Sequence, residues 1–170
     1  MNQSKWDVVA DYVVAGQDYF YRLAYSHVRD RETALDIVQE SVTKALARAD
    51  SLREPAYVRT WFYRILTNEC MDHFRRRKNL VPLEEWMDTE VYQEFDVGDK
   101  VDLYRALDQL EERERMVIQL RFFEDMKLSE IAEVTDTNLN TVKTRLYSGL
   151  KKLRLMTEEE WRDERKDQAR

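Results

Sequence analysis

Across 170 residues this chain holds only three glycines, Gly16, Gly98 and Gly149, and two prolines, Pro55 and Pro82. Sheet proteins need frequent tight turns, and tight turns draw on glycine and proline. Here the breakers are scarce, and apolar residues recur at three- and four-residue steps, the helical period. The expectation is an all-α protein: two small helical domains at residues 1–79 and 101–156, a linker at 80–100 and a charged tail at 157–170.

Trp6, Val9, Ala10, Val13 and Val14 fall on one helical face, and Gly16 is a stop. Phe20, Leu23, Ala24, His27 and Val28 continue the pattern, as a second helix or a bent continuation of the first. Asp30 suits the N-cap of the most regular helix, over about 31–49. The stripe expected to be buried there is Ala34, Leu35, Val38, Val42, Ala45, Leu46 and Ala49. Asp36, Gln39, Glu40 and Thr43 face away, either as solvated surface or as a dock for a basic partner helix. Pro55 lies in a break at 50–59 and suits the first turn of the next helix.

That next helix, residues 60–78, has two unlike faces. Phe62, Leu66, Cys70 and Phe74 recur every fourth residue, with Ile65 beside them. Trp61, Arg64, Asn68, Asp72 and Arg75 lie opposite, and Arg75, Arg76, Arg77 and Lys78 close the segment with a basic run. Rings stack on bases, amides read base edges and cations hold phosphates, so this face suits unstacked nucleic acid. A solvated amphipathic helix with a basic end is the other reading. Cys70, the single cysteine, reads as a small buried hydrophobe.

Residues 80–99 carry seven Asp/Glu and no Lys/Arg. With Pro82 and Gly98 near the ends they read as a linker. Its Trp86, Met87, Tyr92 and Phe95 either pack back on a domain or contact a partner. Beyond it, Leu103, Ala106, Leu107 and Leu110 mark one helix, and Met116, Val117, Leu120 and Phe123 another. Ser129 is a candidate cap for a short helix with Ile131, Ala132 and Val134. Thr135-Asp136-Thr137-Asn138 is turn chemistry, and a longer helix follows with Val142, Leu146, Leu150 and Leu153 inward. Thr141, Lys143, Thr144, Arg145, Tyr147, Ser148, Lys151 and Lys152 point outward. Short helix, tight turn and a second helix rich in Thr, Lys and Arg is the helix-turn-helix layout, whose second helix reads the major groove. An ordinary helical hairpin is the alternative.

Net charge is −6, which by itself disfavours duplex DNA, since counterion release needs an excess of cations. The acidity is local, however. Residues 1–79 hold 13 Lys/Arg against 11 Asp/Glu, and residues 100–156 hold 11 against 10. A chain of this kind working on DNA needs another body to supply much of the phosphate grip. Enzyme chemistry finds little support: there are two histidines, His27 and His73, one cysteine, and no HExxH, CxxC or glycine-rich phosphate loop. No catalytic residue, metal or cofactor is expected. The N-terminus lacks a charged start with an apolar run and cleavage site, and no stretch approaches the ~20 apolar residues that span a bilayer. A cytoplasmic location is expected.

RDRETALDIVQESVTKALA, TWFYRILTNECMDHFRRRK and ALDQLEERERMVIQLRFFEDMKLSEIAEV with NTVKTRLYSGLKKL occur in that order. Together, over about 19–155, they resemble the extracytoplasmic-function group of bacterial sigma factors. The resemblance implies a promoter-specificity subunit that binds core RNA polymerase and promotes melting of promoter DNA. It implies that Asp36, Gln39 and Glu40 meet the helical clamp of the polymerase largest subunit. It implies that loop 51–59 with Trp61, Arg64, Asn68 and Asp72 engages the melted non-template strand of the −10 element, with Arg75 to Lys78 on adjacent phosphates. Lys143, Thr144, Arg145 and Tyr147, with Asn140, Thr141 and Lys151 beside them, would contact the −35 element as duplex. The linker would thread toward the polymerase channels. Expected partners are core polymerase (clamp helices and flap), promoter DNA and an anti-sigma factor, the chain being a monomer when free or 1:1 with that factor. Departures are Glu111 where the family has Pro, Asn140 where Gly is usual, and Ser148-Gly149-Leu150 in place of further cations. Asn140 can cap the recognition helix instead of glycine. The reading from another class is a stand-alone helix-turn-helix regulator with an N-terminal sensing or dimerising domain. A protein-binding helical scaffold is a third.

Overall fold

The computed structural model describes residues 2–80 and 98–168, the side chains of 78–80, 98–102 and 157–168 excepted. The linker residues Trp86, Met87, Tyr92 and Phe95 and the Lys78 side chain therefore lie outside the described residues, as do the side chains of the tail. The described secondary structure is helical throughout. Helices α1 (Lys5–Ala15), α2 (Gln17–Val28), α3 (Arg31–Ala47) and α4 (Val58–Leu80) form the N-terminal bundle. Helices α5 (Gly98–Asp108), α6 (Glu112–Phe122), α7 (Leu128–Thr135) and α8 (Leu139–Gln168) form the second.

The N-terminal helices start and stop where side-chain chemistry directs. Ser4 caps α1, its hydroxyl accepting from the Asp7 amide at 3.1 Å, and Asp30 caps α3 by accepting from the Thr33 amide at 2.9 Å. Between α1 and α2 the chain turns at Gly16, where a Cβ would sit 2.2 Å from the Phe20 ring. Glycine is required there by that close approach. Phe20 meets the fully buried Phe62 at 4.4 Å between ring centroids, the rings tilted by 45°. Val9, Leu23, Leu52, Leu66 and Cys70 complete this core. Each such side chain contributes about 1.5–3 kcal/mol when withdrawn from water. Burial pushes the Cys70 thiol up to about 12, so it stays a neutral hydrophobe, as its stripe position suggests.

Two stripes differ from expectation. In α3 the buried positions are Ala34, Ile37, Ser41 and Ala45, while Leu35 is 49% exposed. The inward face is rotated toward small residues, and the Ser41 hydroxyl is satisfied by donating to the Ile37 carbonyl at 2.7 Å. In α1, Val9 and Val13 are buried, whereas Trp6 and Val14 are exposed. An eleven-residue helix on the rim covers the core with a narrow stripe only.

The bundles pack against each other, mainly α4 on α7 and α2 on α6. α6 is buried on nearly every side, with Glu114 covered by α8 and Gln119 by the N-terminal bundle. Gln119 Nε2 donates to the Ser26 carbonyl at 3.0 Å. Tyr63 and Glu124 share a short hydrogen bond, and Arg59 donates to the Glu124 carbonyl. Arg64 reaches Asp136 at 3.3 Å. Burial raises the pKa of both Tyr63 and Glu124.

His27 lies in the same contact, 2% exposed, 3.8 Å from Glu112 and beside the Phe74 ring, with Arg115 and Gln119 near it. Burial lowers its pKa, against the pull of Glu112. The unfolded chain therefore takes up a proton near pH 6.5 that the folded chain refuses until lower pH, and stability falls as pH drops below that value. Glu124, with its raised pKa, acts in the opposite direction above its ordinary 4.5. The expected result is that His27→Gln flattens the dependence of unfolding free energy on pH between about 6.5 and 5. Equal slopes in urea titrations of both proteins would contradict the assignment.

Candidate nucleic-acid interface

Asp36, Gln39 and Glu40 are all exposed on one face of α3, beside the exposed Leu35. Glu40 pairs with Lys44 at 3.7 Å, one turn on along the same helix. Such a face is complementary in charge to a basic helix.

On α4, Phe62, Leu66 and Cys70 are buried as expected, and Phe74 and Ile65 are half-buried. Opposite them, Arg64, Asn68 and Arg75 are exposed, and Asp72 is half-buried with Arg75 at 3.9 Å. Trp61 is half-buried and packs against the core. Arg76 is exposed and Arg77 partly so. A further stripe, Tyr63, Thr67 and Met71, was not foreseen. Tyr63 and Thr67 are buried, and Met71 partly, beneath the second bundle. The signal was in the sequence: these residues also recur every fourth position, so α4 has two packed faces rather than one.

The helix-turn-helix is formed by α7 and α8. Asp136 takes a left-handed conformation, φ 52°, ending α7, and such conformations are tolerated by Asp and Asn. Two capping expectations are corrected. Ser129 lies inside α7, which begins at Leu128 with the Glu130 carboxylate accepting from the Lys127 amide at 2.8 Å. The recognition helix is capped by Asn138, whose side-chain oxygen accepts from the Thr141 amide at 2.8 Å, and Asn140 falls within the helix. Lys143, Thr144, Tyr147 and Lys151 are exposed along α8, with Asn140 exposed and Thr141 half-buried at its start. Lys152, expected to point outward, pairs with Glu114 at 2.8 Å, and Ser148 donates to the same carboxylate at 2.7 Å. Gly149 has its own physical reason. A Cβ there would lie 2.5 Å from Ile118 Cδ1, so glycine lets α8 approach α6 closely.

Arg145 is the recognition-helix residue that turns toward the N-terminal bundle. It shares a cleft of about 220 Å³ with Asn68, Asp72 and Arg75 of α4 and with Arg113 of α6. Burial lowers the Arg145 pKa, and the neighbouring Arg113 charge adds to this. The packed arrangement thus brings residues of both expected DNA-reading faces together and covers part of the α4 face. Among the described residues no group of His, Cys, Asp and Glu is arranged to hold a metal ion. No described helix is long and apolar enough to cross a membrane.

Comparison with known proteins agrees with this geometry. Sigma-70 region 2 matches residues 13–80, and Sigma-70, region 4 matches residues 100–153. The RNA polymerase sigma factor SigV of Bacillus subtilis is 45% identical over 146 residues, covering 83% of this chain and 86% of that protein. The ECF RNA polymerase sigma factor SigW of the same organism is 30% identical over 168 residues, covering 87% of this chain and 88% of SigW. Among solved structures, the sigma factor RpoE in complex with the anti-sigma factor NepR from Bartonella quintana aligns with a TM-score of 0.70 at 21% identity, over 88% of this chain and 96% of RpoE. CnrH in complex with the cytosolic domain of CnrY aligns at 0.67 and 22%, over 88% of this chain and 87% of CnrH. These findings favour a sigma factor over a stand-alone regulator. The chain belongs to the sigma-70 family, as an RNA polymerase sigma factor of the extracytoplasmic-function group.

Proposed function

We propose a division of this promoter-specificity role among the faces just described. Asp36, Gln39 and Glu40 bind the clamp helices of core polymerase. Loop 51–59, Trp61, Arg64, Asn68 and Asp72 capture the melted −10 strand, and Arg75, Arg76, Arg77 and Lys78 hold its phosphates. Asn140, Thr141, Lys143, Thr144, Arg145, Tyr147 and Lys151 contact the −35 duplex while the second bundle rests on the polymerase flap. The linker threads the polymerase channels. The work is cytoplasmic, where polymerase and promoter meet.

The observation that carries this reading is the outer face of α4. Arg64, Asn68 and Arg75 stand exposed on it, and the core is complete without them. The neighbours solved with anti-sigma factors support a similar protein partner for this chain, bound 1:1 to an otherwise monomeric molecule. Because the second bundle covers part of the α4 face, promoter capture requires the bundles to part.

Asn68→Ala tests the strand-capture role. Core binding is expected to stay unchanged, while opening of the −10 element falls about ten-fold, the cost of one lost base contact of ~1–3 kcal/mol. Permanganate reactivity of promoter thymines reads this directly. Equal reactivity with both proteins would refute the role of Asn68.

A further inference from the structure

The cleft between the bundles has an electrostatic peculiarity. Arg75, Arg113 and Arg145 converge on it, and Asp72 is the one carboxylate among its lining residues. Arg75 is 3.9 Å from Asp72. Arg113 and Arg145 make no ion pair within 4.0 Å among the described residues, and the Arg113 charge adds to burial in lowering the Arg145 pKa, against the pull of Glu111. Arg75 and Arg113 are exposed and Arg145 is half-buried; like charges gathered on one cleft repel, and a bound anion relieves that repulsion. The other lining groups extend the pattern. Asn68 can donate an amide. Met71 and Met116 supply an apolar, polarizable floor.

Three guanidiniums with neutral donors fit phosphate oxygens, which they grip through paired N–H bonds. The geometry points to a binding site for a diphosphate group, free as pyrophosphate or carried by a nucleoside diphosphate, assembled only when the two bundles are packed together. About 220 Å³ is small for a drug-sized ligand and suits a compact anion. Because Arg75 belongs to one bundle and Arg113 and Arg145 to the other, the ligand binds the packed state better than the parted one. Occupancy then shifts the population toward the packed state. It follows that diphosphate opposes capture of a single strand by α4. The site itself stands independently of the roles assigned above, since its test uses neither polymerase nor promoter.

The experiment is calorimetric titration of the full chain with sodium pyrophosphate, ADP and adenosine at matched ionic strength. Saturable binding of pyrophosphate and ADP is expected, with none for adenosine. Arg113→Gln is expected to weaken it about ten-fold, the loss of one charge-assisted contact, and Arg113→Gln with Arg145→Gln to abolish it. Arg105→Gln, an exposed arginine away from the cleft, should bind as the wild type does. Tighter binding of ADP than of pyrophosphate identifies a nucleotide ligand resting its base on the methionines; equal affinity identifies the diphosphate alone, and both support the site. No saturable heat up to about 5 mM, or equal affinity in the wild type and the Arg113→Gln Arg145→Gln variant, would overturn it.

Discussion

Asp36→Arg combined with Glu40→Arg is expected to abolish binding of core RNA polymerase while leaving the fold intact. Both side chains are exposed, so neither change buries a charge. Within the chain the double change breaks the exposed Glu40–Lys44 pair, which contributes ~0.3–0.5 kcal/mol. At the polymerase the effect is far larger. Under the proposed contact, two acids facing basic groups become two cations that repel them, and like-charge juxtaposition costs several kcal/mol. A loss of affinity of at least about 100-fold should result, measured by fluorescence anisotropy with labelled protein. Unchanged circular dichroism and urea midpoint would show that the fold is retained. Wild-type affinity in the double variant would refute the placement of the polymerase contact on α3.

Glu124→Lys is expected to part the two bundles. The Glu124 side chain accepts the Tyr63 hydroxyl across the contact, and Arg59 lies beside it. Lysine leaves the buried hydroxyl without its acceptor and sets a cation next to Arg59. An unsatisfied buried polar group costs about 1–3 kcal/mol, which moves the ratio of parted to packed molecules roughly 5- to 150-fold. The radius of gyration from solution scattering should rise, and affinity for a single-stranded −10 oligonucleotide should increase with it. Tyr63→Phe should shift both readouts in the same direction by less. Scattering and affinity equal to the wild type would contradict the view that this contact holds the molecule packed.

Those two faces differ in how far the sequence revealed them. The α3 face was legible because Asp36, Gln39 and Glu40 stand at helical spacing opposite small apolar residues, and periodicity assigns faces well even when, as with Leu35, it misplaces the edge of the stripe. The Phe62, Leu66 and Cys70 stripe was legible for the same reason. The contact between bundles was not. It rests on polar residues, Tyr63, Thr67, Glu124, Gln119 and His27, whose burial depends on partners distant in the chain. A pattern of apolar spacing carries no trace of a Gln119 side chain meeting the Ser26 carbonyl. The capping of α8 was half-legible: the turn was correctly placed at 135–138, yet the cap is Asn138 rather than Asn140. Two asparagines two residues apart offer the same chemistry, and only the backbone path selects between them. Gly149 read as a loss of cations, whereas its reason is the close passage of α8 over Ile118.

The most direct measurement is in-vitro transcription across a promoter library with purified core polymerase, with and without this chain, mapping the start of every transcript. Start sites are expected that occur only when the chain is present, share upstream −10 and −35 elements, and disappear with the Asp36→Arg Glu40→Arg variant. Absence of any start-specific transcript, together with no complex between the chain and core polymerase, would contradict the promoter-specificity role.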